Sequence, residues 1–211
     1  MKKRILLVVL LLVSVTISAS GNKEELGSIG VEFNKATEYS IVSGTEFKTT
    51  LNSVGLYLNS YVFSPEESTG FFSHASFLIP ASGKIESMGS SVNYSYSDAD
   101  LRSNLGYMIG PAYRTSINSN TNLYLGIGPS FYQLIVAEDP FATMTFIFGI
   151  GLDAGVHIST ANNRFLKLGL LVDYNFANYT YVYTAYGSSS EMTTDYSLTS
   201  IRPYIGIGFV R

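Results

Sequence analysis

From residue 27 to the C-terminus, apolar and polar positions alternate with a period of two, the spacing of β-strands and not of helices. Ile29, Val31 and Phe33 alternate with Gly30, Glu32 and Asn34. Over 50–63, Val54, Leu56 and Leu58 share one face while Tyr57, Tyr61 and Phe63 crowd the other. A third segment carries Phe71, Ala75, Phe77 and Ile79 on one side. A fourth sets Leu105, Tyr107, Ile109, Pro111 and Tyr113 against Gly106, Met108, Gly110, Ala112 and Arg114. The later segments are the clearest. Leu123 to Phe131 oppose Tyr124, Gly126, Gly128, Ser130 and Tyr132; Phe146 to Val156 oppose Gly149, Gly151, Asp153, Gly155 and His157. Leu166 to Phe176 oppose Lys167, Gly169, Asp173 and Asn175, and Ile201 to Phe209 oppose Arg202, Tyr204, Gly206 and Gly208.

These eight stretches are long enough to cross a bilayer as tilted strands, which takes about 9–11 residues, where an ordinary strand averages about 5–6. Pro111, Pro129 and Pro203 fall within them and cannot donate to a ladder. The connections alternate too. Those at 64–69, 116–120 and 159–163 are short. Those at 35–48, 80–103 and 178–195 are longer, and 137–142 is short for its side. Short periplasmic turns opposite longer outer loops mark a membrane barrel. The pattern predicts an all-β fold, a closed antiparallel up-and-down transmembrane β-barrel of eight strands with both termini on the periplasmic side.

The N-terminus supplies an export route. Lys2, Lys3 and Arg4 precede an unbroken apolar run from Ile5 to Val13, and Ser18-Ala19-Ser20 offers small residues for a signal peptidase. We read residues 1–20 as a cleaved signal peptide and 21–211 as one barrel domain. The run is too short for a membrane helix, which needs about 20 residues. Composition agrees: 14% of residues are charged, against about 25% in ordinary globular domains. There are 19 Gly, 16 Tyr and 13 Phe, with no Trp and no Cys. Losing three N-terminal cations leaves ten Lys and Arg against sixteen Asp and Glu, so nucleic acid is not an expected partner. The absence of cysteine excludes disulfides and a lipidated N-terminal cysteine.

The architecture over 27–211 resembles the small bacterial outer-membrane barrels of the OmpA, OmpX and OmpW kind. The resemblance implies residence in the outer membrane, contact with its lipid, and handling by the assembly machinery during insertion. Such barrels commonly end in a strand with a final aromatic residue. Here Tyr204, Ile205, Ile207 and Phe209 form that strand, but Val210 and Arg211 follow it. A soluble exported barrel of the lipocalin type is the structural alternative. It would show a charged surface to water, whereas the face opposite the apolar one here is Gly, Tyr, Ser and few charges.

An outward apolar face sends the polar one inward. Glu32, Arg114, Asp153, Lys167, Asp173 and Arg202, with His157, then lie in a lumen that eight strands make just wide enough for side chains to fill. The expectation is a packed charge network, with Asp173 and Arg202 at matching depths on neighbouring strands; a polar solute path is the alternative. His157-Ile158-Ser159 places base and hydroxyl on one strand face, reminiscent of outer-membrane lipid A deacylases. It lacks a suitably spaced Glu and falls at the periplasmic end, so no catalytic residue is assigned. Two histidines without cysteine make no zinc site, Gly126-Ile127-Gly128 and Gly149-Ile150-Gly151 complete no nucleotide fingerprint, and no cofactor or metal is expected. Loops 80–103 and 178–195 are rich in Ser and Tyr. They read either as contact surfaces for an extracellular partner or as an aromatic girdle at the headgroups. Three functions stay open: a structural or surface-interaction role through the outer loops, an OmpW-like conduit for small apolar solutes, and a lipid-modifying hydrolase.

Overall fold

The computed structural model describes residues 23–42, 44–64, 66–95, 101–138, 141–160, 163–184, 189–192 and 195–210; residues 1–20, expected to be a signal peptide, lie outside them. Among the described residues are ten strands: β1 (Glu24–Val42), β2 (Thr45–Phe63), β3 (Thr69–Ser87), β4 (Ser90–Ser95), β5 (Leu101–Asn118), β6 (Thr121–Glu138), β7 (Phe141–Ser159), β8 (Arg164–Thr184), β9 (Ser189–Met192) and β10 (Asp195–Val210). Each pairs antiparallel with its neighbour. Eight close a ring in the order β1, β2, β3, β5, β6, β7, β8, β10, because β10 pairs with both β8 and β1. The short β4 and β9 hang on the outer parts of β3 and β8.

Alternation decides which side of the wall each residue takes. Ile29, Val31, Phe33, Leu56, Phe77, Ile127, Ile150, Leu152, Leu168, Ile205 and Ile207 are all at least 40% exposed, while Glu32, Tyr61, Asp153, Lys167, Asp173 and Asn175 are wholly buried. That inverts the soluble pattern, in which large apolar side chains are inside and charges outside. A ring of backbone hydrogen bonds with no free edge, wrapped in apolar side chains, is one of the two structures a bilayer core accepts. No helix among the described residues is long and apolar enough to cross a membrane, and the strands make the crossing.

Three connections are tight at the end that carries the termini: 64–68, 119–120 and 160–163. At the other end the expected loops are largely strand. Residues 35–48 form a continuous hairpin, with Val42 paired to Thr45 across a turn containing Gly44 at φ 79°. Residues 137–142 close likewise through Glu138 and Phe141. β3 continues to Ser87, turns at Met88–Gly89 (φ 48° and 79°) and is flanked by β4, while β8 runs to Thr184 beside β9. The physical reason is that Thr, Tyr, Val and Ser alternate through these stretches, and a ladder satisfies their backbone groups where an irregular loop would not. The 16–21-residue strands of the ring are therefore nearly twice what a crossing of about 9–11 residues needs, and the barrel wall projects outward beyond the membrane.

The prolines sit in breaks of the ladder. Between Met108–Ser130 and Ala112–Gly126 the β5–β6 register has no pairs, and both Pro111 and Pro129 fall within that gap. Pro203 pairs with Leu170 on β8 and turns its missing donor toward β1, where the β1–β10 register is interrupted. Val210 is part of the closed ring: it pairs with Leu26, and its N–H donates to the Asn163 carbonyl at 2.9 Å.

Candidate functional site

The lumen is filled in layers, each placed by the inward half of the alternating pattern. At the periplasmic end Leu26, Tyr61, Phe63, Phe72, Tyr124 and Phe165 pack together. Glycines opposite these rings make the room: a Cβ on Gly126 would meet the Phe72 ring at 2.6 Å, and one on Gly208 the Phe165 ring at 2.1 Å. Toward the outer end a second apolar layer joins Ala36, Tyr132, Ile147 and Leu198, with Leu51 against it. Between the two lies a buried polar layer.

That layer is built on two cations. The Arg202 guanidinium donates from Nη1 to Glu32 Oε1 at 3.0 Å and to Ser76 Oγ at 2.9 Å, and from Nη2 to Asp173 Oδ2 at 2.6 Å. Tyr132 donates its hydroxyl to the same Asp173 oxygen, and its ring lies 4.7 Å from the Arg202 guanidinium carbon. Lys167 donates to Asn59 Oδ1 at 2.6 Å, stands 4.0 Å from Asp153, and is faced by the Tyr61 and Tyr204 rings at 4.6 and 4.9 Å. Asp153 accepts from Tyr61, Tyr204 and Asn59.

His74 ties the halves together. Asn59 accepts from Lys167, so its amide nitrogen faces Asp153 at 3.1 Å and His74 Nδ1 at 3.3 Å. Nδ1 therefore accepts, and the proton on Nε2 donates to Glu32 Oε2 at 2.8 Å. Burying charge is tolerable only when it is paired and hydrogen-bonded, and these carboxylates are. Asp173 Oδ1 and Arg202 Nε remain without a partner.

Of the six charges expected in the lumen, the structure joins five: Glu32, Asp153, Lys167, Asp173 and Arg202. Arg114 is the correction. Near the end of β5 it lies at the periplasmic mouth, paired with Glu24, donating to the Glu67 carbonyl at 3.0 Å and stacked 4.6 Å over Phe63. Its depth on the strand, three residue pairs from the turn, puts it beyond reach of the central layer. Sequence reasoning missed Asn59, His74 and Ser76. They lie on the inward face of β2 and β3, in phase with the buried Tyr57, Tyr61 and Phe72, and that phase was the available signal.

The His–Ser pair does not form. His157 is buried between the Tyr124 and Phe165 rings at 3.9 and 4.4 Å, and neither of its nitrogens has a hydrogen-bond partner, while Ser159 is exposed. Among the described residues no three His, Asp or Glu side chains are arranged to hold a metal ion.

One ladder of the ring ends early. β2 and β3 pair out to Lys48–Glu86, but β3 and β5 pair only as far as Leu78–Asn104; beyond that β3 takes β4 as its neighbour. Outside, at the rim, Lys84 and Lys48 both contact Glu86, at 2.5 and 3.1 Å. Their hydrogen bonds hold the Glu86 carboxyl below its ordinary range, and Glu86 raises the Lys48 ammonium in turn.

No protein-family model matches the sequence, and no curated protein matches it. Solved structures do match in fold. OprG from Pseudomonas aeruginosa aligns at 11% identity and TM-score 0.61, over 89% of this chain and 95% of that one. Neisserial surface protein A aligns at 14% identity and TM-score 0.51, over 90% and 97%. A major outer membrane protein of Thermus thermophilus aligns at 14% identity and TM-score 0.51, over 86% and 99%. At these identities the likeness is one of architecture, and the architecture is that of the small outer-membrane β-barrels.

Proposed function

We propose that this chain is a sealed outer-membrane barrel whose work is done on its outer surface and not through its lumen. The observation that carries this reading is the layering: a buried, extensively hydrogen-bonded polar layer clamped between two apolar ones. Arg202, Lys167, Glu32, Asp153 and Asp173 are each 0–1% exposed, so no water file passes the charges that a pore would need. The wall extended beyond the bilayer gives the contact surface. Its partners are outer-membrane lipid, the assembly machinery during insertion, and an extracellular partner met through the segments 80–103 and 178–195. The test is planar-bilayer recording of the refolded protein. No steady ion conductance is expected, and a stable open level would overturn the reading.

A second reading, a conduit for small apolar solutes, is favoured by one feature. The β3–β5 ladder ends at Leu78–Asn104, and the apolar layer of Ala36, Leu51, Ile147 and Leu198 lies in the outer half of the lumen. A solute entering from outside would meet apolar side chains and leave sideways into the bilayer without touching the charges. Uptake of a labelled alkane or arene by proteoliposomes, in the absence of ion conductance, would select this reading over the first.

A further inference from the structure

The outer wall is not the same all round. Cross-strand register on β1–β3 gives outward rows Ile29–Leu58–Ala75, Val31–Leu56–Phe77 and Phe33–Val54–Ile79, and then polarity changes at one step. The next rows are Lys35–Asn52–Ser82, Thr37–Thr50–Lys84 and Tyr39–Lys48–Glu86. Side-chain contacts fix their orientation: Asn52 donates to Ser82 at 3.3 Å, and Lys48 and Lys84 both reach Glu86. The bulge on β3 between Pro80 and Ser82 keeps these residues on the outer face.

On β6–β8 the outward rows stay uncharged and largely apolar much further: Leu125–Ala154–Leu170, Ile127–Leu152–Val172, Pro129–Ile150–Tyr174, then Phe131–Phe148, Gln133–Phe146–Tyr179 and Met144–Tyr181. None carries a charge. The aromatic members contact one another, Phe131 to Phe148 at 5.2 Å and Tyr179 to Tyr181 at 4.8 Å. One sector of the barrel is thus tall and aromatic, while the opposite one is short and topped by lysines.

We propose that the β1–β3 sector binds the phosphorylated headgroup of an anionic glycolipid in the outer leaflet, with Lys35 and Lys84 as the phosphate contacts. Three features support this. The cations follow the last apolar row directly, where acyl chains give way to headgroups. They lie on the wall and not in the lumen or at the tip. Lys48, Lys84 and Lys35 outnumber Glu86 in these rows by two charges, and Asn52, Thr37 and Thr50 add neutral hydrogen-bond groups beside them. Lysine serves phosphate as a point charge without demanding a fixed angle, which suits a lipid that slides along the wall. The tall aromatic sector opposite offers no such cation and holds acyl chains to a greater height.

This inference rests on the proposed residence in the outer membrane but not on the sealed lumen. The test incorporates the protein in nanodiscs containing bisphosphorylated lipid A or its dephosphorylated form, and counts retained glycolipid per barrel by native mass spectrometry. Wild-type protein should retain the phosphorylated form at least fivefold better. The double variant Lys35→Gln/Lys84→Gln should lose that preference, while Lys23→Gln, at the periplasmic end, should keep it. Equal retention of the two lipids by wild type, or full preference in the double variant, overturns the proposal. The heat-dependent gel shift of folded barrels checks that the double variant is assembled; if it is not, the wild-type comparison decides alone. A barrel that conducts ions but retains phosphorylated lipid A would sink the sealed-lumen reading and leave this one standing.

Discussion

Each side chain of the wall answers to one of two solvents, and neighbouring residues can be asked opposite questions. Leu168 is 41% exposed on the lipid face, and a basic residue there costs about 2–4 kcal/mol at the bilayer midplane. Gly169 faces in, where a Cβ would meet the Tyr204 ring at 2.1 Å. Gly169→Ala should push Tyr204 off Asp153, leaving that buried carboxylate short of a donor at about 1–3 kcal/mol. Gly27→Ala, with open space around it, should stay within roughly 0.5 kcal/mol of wild type. Urea unfolding in lipid vesicles measures all three: Leu168→Arg should insert poorly, Gly169→Ala should insert but unfold earlier, and Gly27→Ala should match wild type. At this scale the sequence was legible for direction and not for partners. Alternation alone assigned Glu32, Asp153, Lys167, Asp173 and Arg202 to the lumen. That His74 and Asn59 bridge them depends on side chains from β2, β3, β7 and β8 converging across the barrel, which no period along one strand encodes.

Strand ends were the least legible elements. Inside the bilayer a strand announces itself by strict alternation, because one side meets lipid. Beyond it the alternation fades, and 35–48 or 178–184 read as polar loop although the ladder continues through Tyr39–Lys48 and Tyr181–Met144. The difference has a proteolytic consequence. Met88 is 85% exposed and lies in the turn with Gly89, so a broad-specificity protease added to intact cells should cut at that tip. The paired stretches Glu38–Thr49 and Thr145–Thr180 should resist, because cleavage needs a segment that can leave its ladder. The turn at Asn118–Asn120 should stay intact, since strand direction reverses at each connection and puts it on the periplasmic side. Mass mapping of the fragments reads the outcome; cutting at 119–120 would invert the topology, and cutting throughout 35–48 would mean those residues are loop after all.

On the reading proposed above, the whole molecule is a tube without a bore. Its exterior is matched to lipid over a belt of uneven height, and its interior is a charged layer sealed above and below by apolar side chains. Removing one member of such a layer is costly because the others are left buried and unpaired, which ties the seal to the stability of the barrel. Closure itself was visible in the sequence, from eight long alternating segments and an even strand count. The seal was only partly so: eight strands leave little room, but the layering emerges from registers between strands far apart in the chain. The absence of cysteine makes the seal directly measurable. Ser76, Ser130 and Ser200 are buried inward side chains at 4%, 3% and 1% exposure, and each can be replaced singly by Cys with little change of size. Treated in proteoliposomes with a small charged methanethiosulfonate, all three should remain unmodified from either side while a Cys at exposed Ser90 reacts fully. Ready modification of any of the three lumen positions would mean that water reaches the charged layer, and the sealed-barrel account would be wrong.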